Sequence, residues 1–269
     1  MRADPPGFGM EHPKGLRVFG PTMITRPPTF DPGQLAHLAT EMAQAKGGAD
    51  LSTGDVQRLM ATWQPVVQPV PKHEEPFDLV TERGDTTGVI APRWLCHLMG
   101  LCHRTVHLVL RTPQDWLVLQ MRSRRVDWPG MLDLAVTGHV RAGLSWEEAI
   151  RAEAAEELGL DLSEDAGMLV PSSLSPVGDP YIRCEADSIN PPVHVCHVTQ
   201  VFAATLTPSG LAGLRFADGE VVGLYLCSLA EAIRLMTDEP NRIAPGLVQS
   251  LPRYVEEVSG AMCQVSGIR

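Results

Sequence analysis

Short stretches of alternating apolar and polar residues fill the middle of the chain. Alternation over four to eight residues, bounded by turn residues, is typical of half-buried strands. It predicts two strands in FDLVTERGDTTGVI (77–90), around an Arg-Gly-Asp turn, and two more in HRTVHLVLRTPQDWLVLQMRS (103–123). The same pattern predicts further strands at 131–140, 193–206 and 221–229.

Helical patterns lie on both sides of these strands and once between them. DPGQLAHLATEMAQAKGG (31–48) and STGDVQRLMATW (52–63) have helical composition, with cap residues at their starts. A helix is predicted at 147–158, and later helices at 229–236 and 246–262. Strands around one central helix, with further helices late in the chain, indicate an α/β (α+β) fold with a mixed sheet.

A proline-rich stretch, QPVVQPVPKHEEP (64–76), separates the early helices from the first strands. We therefore place a boundary near residue 75. Residues 1–75 form an N-terminal arm with short helices, in which 1–30 is irregular and rich in Pro and Gly. Residues 76–269 form the main domain with its C-terminal helices. A small helical domain, a specificity cap and a dimerisation arm remain three alternatives for the N-terminal part.

Charge and composition narrow the range of partners. The 269 residues carry a formal net charge of -10, which argues against nucleic acid as a partner because phosphate backbones require a basic face. No apolar run long enough to cross a bilayer is present, and the residues after Met1 show no apolar segment typical of a signal peptide. The six cysteines include no Cys-x-x-Cys, so we expect free thiols in a reducing cytoplasm.

Three carboxylates crowd one side of the predicted central helix. Glu153, Glu156 and Glu157 stand at i, i+3 and i+4, where like charges repel. An acidic solvated face is the simple interpretation. The alternative is a site for a hard divalent cation, Mg²⁺ or Mn²⁺, which prefers carboxylate oxygen and often bridges to substrate phosphates. The glycines that enter and leave this helix, and the surrounding strands, favour the cation site.

The segment GHVRAGLSWEEAIRAEAAEELGLDL (138–162) resembles the Nudix box, G-x5-E-x7-R-E-U-x-E-E-x-G-U, where U is a bulky aliphatic residue. Two positions depart from the box: Leu144 stands in place of Glu and Ala152 in place of Arg. The family assigns metal binding to the retained glutamates, and the two lost residues help to order the loop and helix. The matching residues are Gly138, Glu153, Glu156, Glu157, Gly159 and Leu160.

Residues 76–240 are similar to the Nudix branch that contains type I isopentenyl-diphosphate isomerases and their hydrolase relatives. The isomerases carry a catalytic Cys two residues before a metal-binding His, where this chain has Thr137-Gly138-His139. Their Glu-x-Glu on a later strand corresponds to Val195-Cys196-His197. His139 is present, but the Cys and both Glu residues are missing, so the isomerase is the less favoured hypothesis.

The resemblance therefore implies a metal-dependent hydrolase of a diphosphate linkage, in a nucleoside diphosphate-type or other organic diphosphate. A degenerate binding or scaffold protein is the alternative, and a second metal site of His and Cys is a separate hypothesis. The small phosphorylated substrate is the expected partner. The implied catalytic residues are Glu156, Glu157 and Glu220. The implied substrate-binding residues are Arg122, Arg124, Arg125, His103 and His139.

Overall fold

The computed structural model describes residues 29–187, 193–216 and 218–266. Its centre is a mixed sheet of seven strands, ordered β5-β4-β3-β8-β7, with β6 paired to β3 and β9 paired to β4. The strands of this sheet are β3 (His103–Arg111), β4 (Leu117–Arg122), β5 (Leu132–Leu134), β6 (Val136–His139), β7 (Ser175–Asp187), β8 (Val193–Thr205) and β9 (Val221–Cys227).

Helices cover both faces of the sheet. The helices are α1 (Pro32–Ala45), α2 (Thr53–Val67), α3 (Arg93–Met99), α4 (Trp146–Leu158), α5 (Pro208–Gly213), α6 (Leu229–Asp238) and α7 (Pro245–Ser266). Strand β3 is buried from His103 to Leu110, since it is covered on both sides. Its Leu108 packs in one core cluster with Ile150 of α4, and its Val109 packs in another with Leu251 of α7.

The parallel pair β3–β8 sets the register at the heart of the sheet, with His103 opposite His197 and Leu108 opposite Phe202. The other strand pairs of this sheet are antiparallel. Side chains of successive residues alternate between the two faces, so neighbouring residues on β3 and β8 serve opposite sides of the sheet.

A second core joins the early helices to a separate hairpin. Strands β1 (Pro76–Val80) and β2 (Thr86–Pro92) pair antiparallel. Their Phe77 and Leu79 pack in one cluster with Leu38 of α1 and Trp63 of α2. This core contains residues from both sides of residue 75; the domain boundary itself stays a prediction.

The fold class and the strands and helices named from the sequence agree with the observed elements, apart from the following points. The stretch 131–140 forms two short strands rather than one. Helices α3 and α5 and the 13-residue strand β7 were not predicted, and α2 continues to Val67, inside the proline-rich stretch. The irregular arm lies largely outside the described residues, which begin at residue 29.

Candidate active site and imidazole cluster

Helix α4 carries the three carboxylates and is fixed at both ends. Ser145 caps its start and forms a capping box with Glu148, and Gly159 closes its end with a left-handed backbone. Ala149 and Ala154 are buried against the sheet. Because these side chains are small, the helix lies close to the strands, which brings part of its carboxylate face down onto β6.

Glu153 lies directly over the backbone of Gly138 in β6. A Cβ atom placed on Gly138 would lie 2.2 Å from Cδ of Glu153, far inside van der Waals contact. The backbone φ of Gly138 is not in the left-handed region, so its conformation does not require glycine. Glycine is required here because the Glu153 carboxylate leaves no space for a side chain.

Glu157 is the most enclosed of the three carboxylates, with 3% of its surface exposed. Its Oε2 accepts hydrogen bonds from Nε2 of Gln120 at 3.0 Å and from the backbone N–H of Thr137 at 3.4 Å. Gln120 is itself buried in β4. These donors hold the Glu157 carboxylate in one orientation between α4 and the sheet.

Glu156 is placed differently, with 48% of its side chain exposed. Arg141 donates two hydrogen bonds from Nη2 to its two carboxylate oxygens, both at 3.0 Å. The same guanidinium donates from Nε to Glu75 at 2.7 Å. Arg141 therefore bridges α4 to the chain just before β1. Within the part of the chain that the structure describes, Glu153 and Glu157 have no such cationic partner at hydrogen-bond distance.

The two enclosed carboxyl groups hold their protons strongly. Burial raises the pKa of Glu153 to about 8, with a further contribution from nearby Glu156 and Glu75. Burial also raises the pKa of Glu157 well above its usual value, and the neighbouring Glu153 adds to this. A divalent cation between these groups would offset both the burial cost and the repulsion, so the donor set fits Mg²⁺ or Mn²⁺.

The loop between β6 and α4 is ordered by residues outside the expected box positions. Asp78 Oδ2 accepts from the backbone N–H of Gly143 at 2.8 Å and from Nη2 of Arg104 at 3.0 Å. Arg104 also donates to the carbonyl oxygen of Leu144 at 2.8 Å, and its guanidinium lies over the ring of Trp146. The Leu144 side chain packs on the main core instead of making a polar contact.

A cleft lies between the segment after β4 and the turn before β9. Its volume is about 570 Å³. Arg124 and Arg125 line it, and the guanidinium of Arg125 reaches the backbone of Gly219. The carbonyl oxygen of Glu220 accepts from the backbone N–H of Ser123 at 2.7 Å, which joins the two walls. Glu220 adds to the raised pKa of both Glu153 and Glu157.

Arg122 has a different environment from the other two arginines. Its Nη1 donates to Asp133 at 3.1 Å and to Oγ1 of Thr137 at 3.2 Å, and its Nε donates to the carbonyl oxygen of Asp127. Only 16% of its side chain is exposed. Arg122 therefore shapes the cleft wall, which Arg124 and Arg125 also line.

Four histidines meet in a separate cluster on the same part of the sheet. His103 and His139 come from β3 and β6, and His97 and His197 come from α3 and β8. One ring nitrogen of each lies within 4.8 Å of the others. Phe77 stacks on the rings of His103 and His139 at 5.0 Å. Among the described residues, two groups of three or more metal-ligand atoms lie within 4.8 Å of one another, and the four histidines form one of these groups.

The chemistry of this imidazole cluster (His97, His103, His139 and His197) fits a transition-metal ion. The Nε2 atoms of all four are buried without a hydrogen-bond partner. Burial lowers the pKa of each ring, so the imidazoles are neutral. Nδ1 of His103 lies 2.8 Å from the carbonyl oxygen of Leu101, an arrangement that leaves the Nε2 lone pair available to a metal. Neutral nitrogen ligands in this number suit Zn²⁺ and similar ions.

The structure thus brings Glu153, Glu157 and Glu220 close together, with Arg124 and Arg125 on the cleft. It places His103 and His139 in the imidazole cluster, stacked on Phe77. Sequence reasoning missed Gln120, Arg141 and Asp78, which have no local signal. It named His97 and His197 among the histidines near His103 and His139, together with His107 and His194, but did not separate the four that meet from the two that do not.

Comparisons with known proteins agree with the box. The model of the NUDIX domain matches residues 102–248. Nudix hydrolase 3 of Arabidopsis thaliana is 43% identical over 96 residues, which are 35% of this chain and 12% of that protein. A Nudix hydrolase of Deinococcus radiodurans is 37% identical over 95 residues, 33% of this chain and 52% of that protein. The chain thus spans about an eighth and about half of the lengths of these relatives.

An isopentenyl-diphosphate Delta-isomerase of Escherichia coli is 30% identical over 132 residues, covering 49% of this chain and 64% of that protein. Among solved structures, the crystal structure of DR0079 from Deinococcus radiodurans superimposes with a TM-score of 0.47 at 24% identity. It covers 66% of this chain and 98% of that one. Since the domain match covers more than half of the residues, this chain belongs to the Nudix family.

Proposed function

We propose that the protein is a metal-dependent hydrolase of a diphosphate linkage in a nucleoside diphosphate-type or other organic diphosphate. The observation that carries the proposal is the pair Glu153 and Glu157. Both carboxyl groups are enclosed between α4 and the sheet, and both have raised pKa values. A chain without such chemistry would gain stability by replacing either of them with a neutral residue.

Glu153, Glu157 and Glu156 would hold one or more Mg²⁺ or Mn²⁺ ions. When bound, such an ion neutralises the diphosphate and favours attack by water. Gln120 and the Thr137 N–H orient Glu157 for this task. Glu156 accepts two hydrogen bonds from Arg141. To bind an ion, the Glu156 carboxylate must either release Arg141 or hold the ion while it stays paired with that guanidinium.

The protein groups around the cleft supply the remaining functions. Arg124 and Arg125 pair with phosphate oxygens, for which the forked guanidinium is well suited. Glu220 accepts the proton of the attacking water, because its charge lies near enough to Glu153 and Glu157 to raise the pKa of both. Trp128, which is 47% exposed on the same loop as the arginines, offers a ring face to the organic part of the substrate.

The isomerase alternative lacks its proton-transfer groups. At the position of the catalytic Cys, Thr137 offers a hydroxyl that accepts a hydrogen bond from Arg122 at 3.2 Å, and this does not make it an acid or base near neutral pH. At the position of the second Glu, His197 belongs to the imidazole cluster.

We therefore propose that this cluster holds a transition-metal ion that stabilises the fold beside the hydrolytic site.

Two further features of the proposal concern the setting of the protein. The described cysteines are free thiols, which supports a reducing cytoplasmic compartment. No helix among the described residues is long and apolar enough to cross a membrane. The net charge of -10 supports small phosphorylated molecules rather than nucleic acid as partners. A homodimer is proposed as one role of the N-terminal part, to be checked by light scattering.

The test is a substrate screen with the purified full chain. Nucleoside diphosphate sugars, dinucleoside polyphosphates, nucleoside triphosphates and coenzyme A derivatives are incubated with Mg²⁺ or Mn²⁺, and the phosphorylated products are identified by mass. We expect cleavage of at least one class at a diphosphate, abolished by chelator. Metal binding without hydrolysis of any class, together with binding of an intact diphosphate, would favour the scaffold alternative.

A further inference from the structure

Three cysteines gather on the face of the sheet opposite to the imidazole cluster. Cys196 and His197 are neighbours on β8, so their side chains leave the strand on opposite faces. Cys184 of β7 stands directly opposite Cys196 in the antiparallel pair and shares its face. Cys102 precedes His103 at the start of β3, the strand on the other side of β8. The register that collects the histidines therefore also collects these thiols.

The three Sγ atoms all lie within 4.8 Å of one another. In tetrahedral zinc–thiolate sites, with Zn–S near 2.3 Å, the sulfur atoms are about 3.8 Å apart. Small changes of the cysteine side chains are enough to reach this spacing. Three converging thiols, two on adjacent strands and one just before a third, thus form a preorganised set of soft ligands. Soft thiolates select ions such as Zn²⁺ or Cu⁺ over Mg²⁺.

The thiols open onto solvent, so an ion can reach them. Cys184 is exposed, whereas Cys102 and Cys196 are buried. All three line a cavity of about 870 Å³ whose wall also contains Glu82 and His194. His194 has Nδ1 3.0 Å from the carbonyl oxygen of Leu98. This leaves a carboxylate and an imidazole in the same cavity as the thiols, available to a metal ion as a further ligand.

We propose that Cys102, Cys184 and Cys196 form a binding site for one thiophilic d10 cation, with Zn²⁺ as its natural occupant. The site is distinct from both the carboxylates of α4 and the imidazole cluster. It takes a soft ion through sulfur, whereas the hydrolytic site takes a hard ion through oxygen. The proposal does not depend on the hydrolase assignment.

The location of Cys102 gives the ion a structural consequence. The backbone N–H of Cys102 donates to the carbonyl oxygen of Gly47 at 2.7 Å, and its own carbonyl oxygen accepts from the N–H of Val80 at 3.0 Å. Gly47 follows α1, and Val80 ends β1. An ion on Cys102 therefore ties the early helices and the hairpin to β7 and β8, and binding should stabilise the full chain.

Cadmium is the probe that separates this site from the other two. Thiolate-to-Cd²⁺ charge transfer absorbs in the ultraviolet, whereas carboxylate and imidazole ligands produce no such band. The reduced full chain is titrated with Cd²⁺ in the absence of oxygen. We expect the absorption band to saturate when one Cd²⁺ ion is bound by thiolates per protein chain. The melting temperature should rise over the same range of Cd²⁺ concentration.

The variant Cys184→Ala removes the exposed ligand, whose replacement leaves the buried core intact. We expect at least a tenfold loss of Cd²⁺ affinity measured by the band. The matched control is Cys227→Ala, which removes a free thiol outside the cluster and should leave the titration unchanged. An absent band, or equal titrations for Cys184→Ala and the unaltered chain, would overturn the proposal. So would a disulfide between two of the three cysteines in the protein isolated without reductant, measured by intact mass.

Discussion

The carboxylate of Glu153 occupies the space that any side chain on Gly138 would need. A Cβ atom at residue 138 would lie 2.2 Å from Cδ and 2.4 Å from Oε2 of Glu153. The contact joins the first glycine of the box to its first retained glutamate, across 15 residues of sequence. It shows that the β6 backbone and helix α4 determine together where this carboxylate lies.

Replacing Gly138 with Ala should displace Glu153 and reduce metal-dependent hydrolysis. The clash forces either the carboxylate or the helix to move, and a displacement of about 1 Å at a reacting centre costs on the order of 100-fold in rate. Activity and metal-dependent stabilisation are to be measured together. Gly223→Ala is the control, because a Cβ there meets no atom within 4 Å. Equal activity of the two variants would contradict the assigned role of the contact.

The metal-free protein should lose stability as the pH rises from about 7 to 8. The folded-state pKa of Glu153 is about 8, above its ordinary value of 4.5. Its protonated form is therefore favoured in the folded state, and that contribution is lost as the carboxyl group ionises. In this window the buried imidazoles are neutral in the folded protein and largely neutral in the unfolded chain.

The measurement is the melting temperature against pH in chelator. Glu153→Gln should reduce the slope in this window, and saturating Mg²⁺ or Mn²⁺ should oppose the loss in the unaltered protein. An identical slope for the Gln variant would show that the Glu153 carboxyl does not titrate in this range.

Asp78 should be necessary for order in the loop between β6 and α4. Its carboxylate accepts from both Gly143 and Arg104, and Arg104 in turn holds the Leu144 carbonyl oxygen. Asp78→Ala leaves the partly buried guanidinium without its partner, and we expect a loss of roughly 1–3 kcal/mol in the free energy of unfolding. Faster hydrogen exchange at the Gly143 amide should accompany it.

The control is Asp238→Ala, which removes an exposed carboxylate from its pair with Arg234. Such surface pairs contribute about 0–1 kcal/mol. If the two alanine variants have the same stability and the Gly143 amide exchanges at its original rate, the loop is ordered by other contacts.

The imidazole cluster should bind one Co²⁺ or Zn²⁺ ion. Its four Nε2 atoms lie close together without partners, and a tetrahedral zinc ion requires nitrogen atoms about 3.4 Å apart. Co²⁺ bound to nitrogen ligands gives a visible absorption band. His97→Gln should weaken this band, while His37→Gln, which changes an imidazole of α1 outside the cluster, should not. A titration without any visible band would remove the proposed transition-metal site.

The sequence predicts the strands around the carboxylates because their apolar residues alternate clearly. It also predicts α4, which is flanked by cap residues and glycine. Strand β7 is missed because SPVGDPYIRCEAD contains two prolines and a glycine and shows no regular alternation. Its order comes from pairing with β8, with an irregularity between Val177 and Tyr181. Such pairing depends on distant residues and has no local pattern.

The candidate site shows the same division. The spacing of Glu153, Glu156 and Glu157 is a local feature and was recognised from the sequence. The support for Glu157 comes from Gln120, which is 37 residues away along the chain. Strand register similarly brings His103 opposite His197. Contacts of this kind depend on the packing of the whole sheet, so no single segment contains them.

The central claim is that the enclosed carboxylates of α4 hold the ions used for hydrolysis, and Glu157→Gln tests it most directly. The substitution keeps the shape of the side chain and removes its charge. With the substrate found by the screen and saturating Mg²⁺ or Mn²⁺, kcat should fall on the order of 100-fold or more. The melting temperature in chelator should stay the same or rise. Glu147→Gln, on the exposed first turn of the same helix, should retain activity within about twofold. Equal activity of Glu157→Gln and the unaltered protein, with no metal-dependent stabilisation of either, would contradict the account.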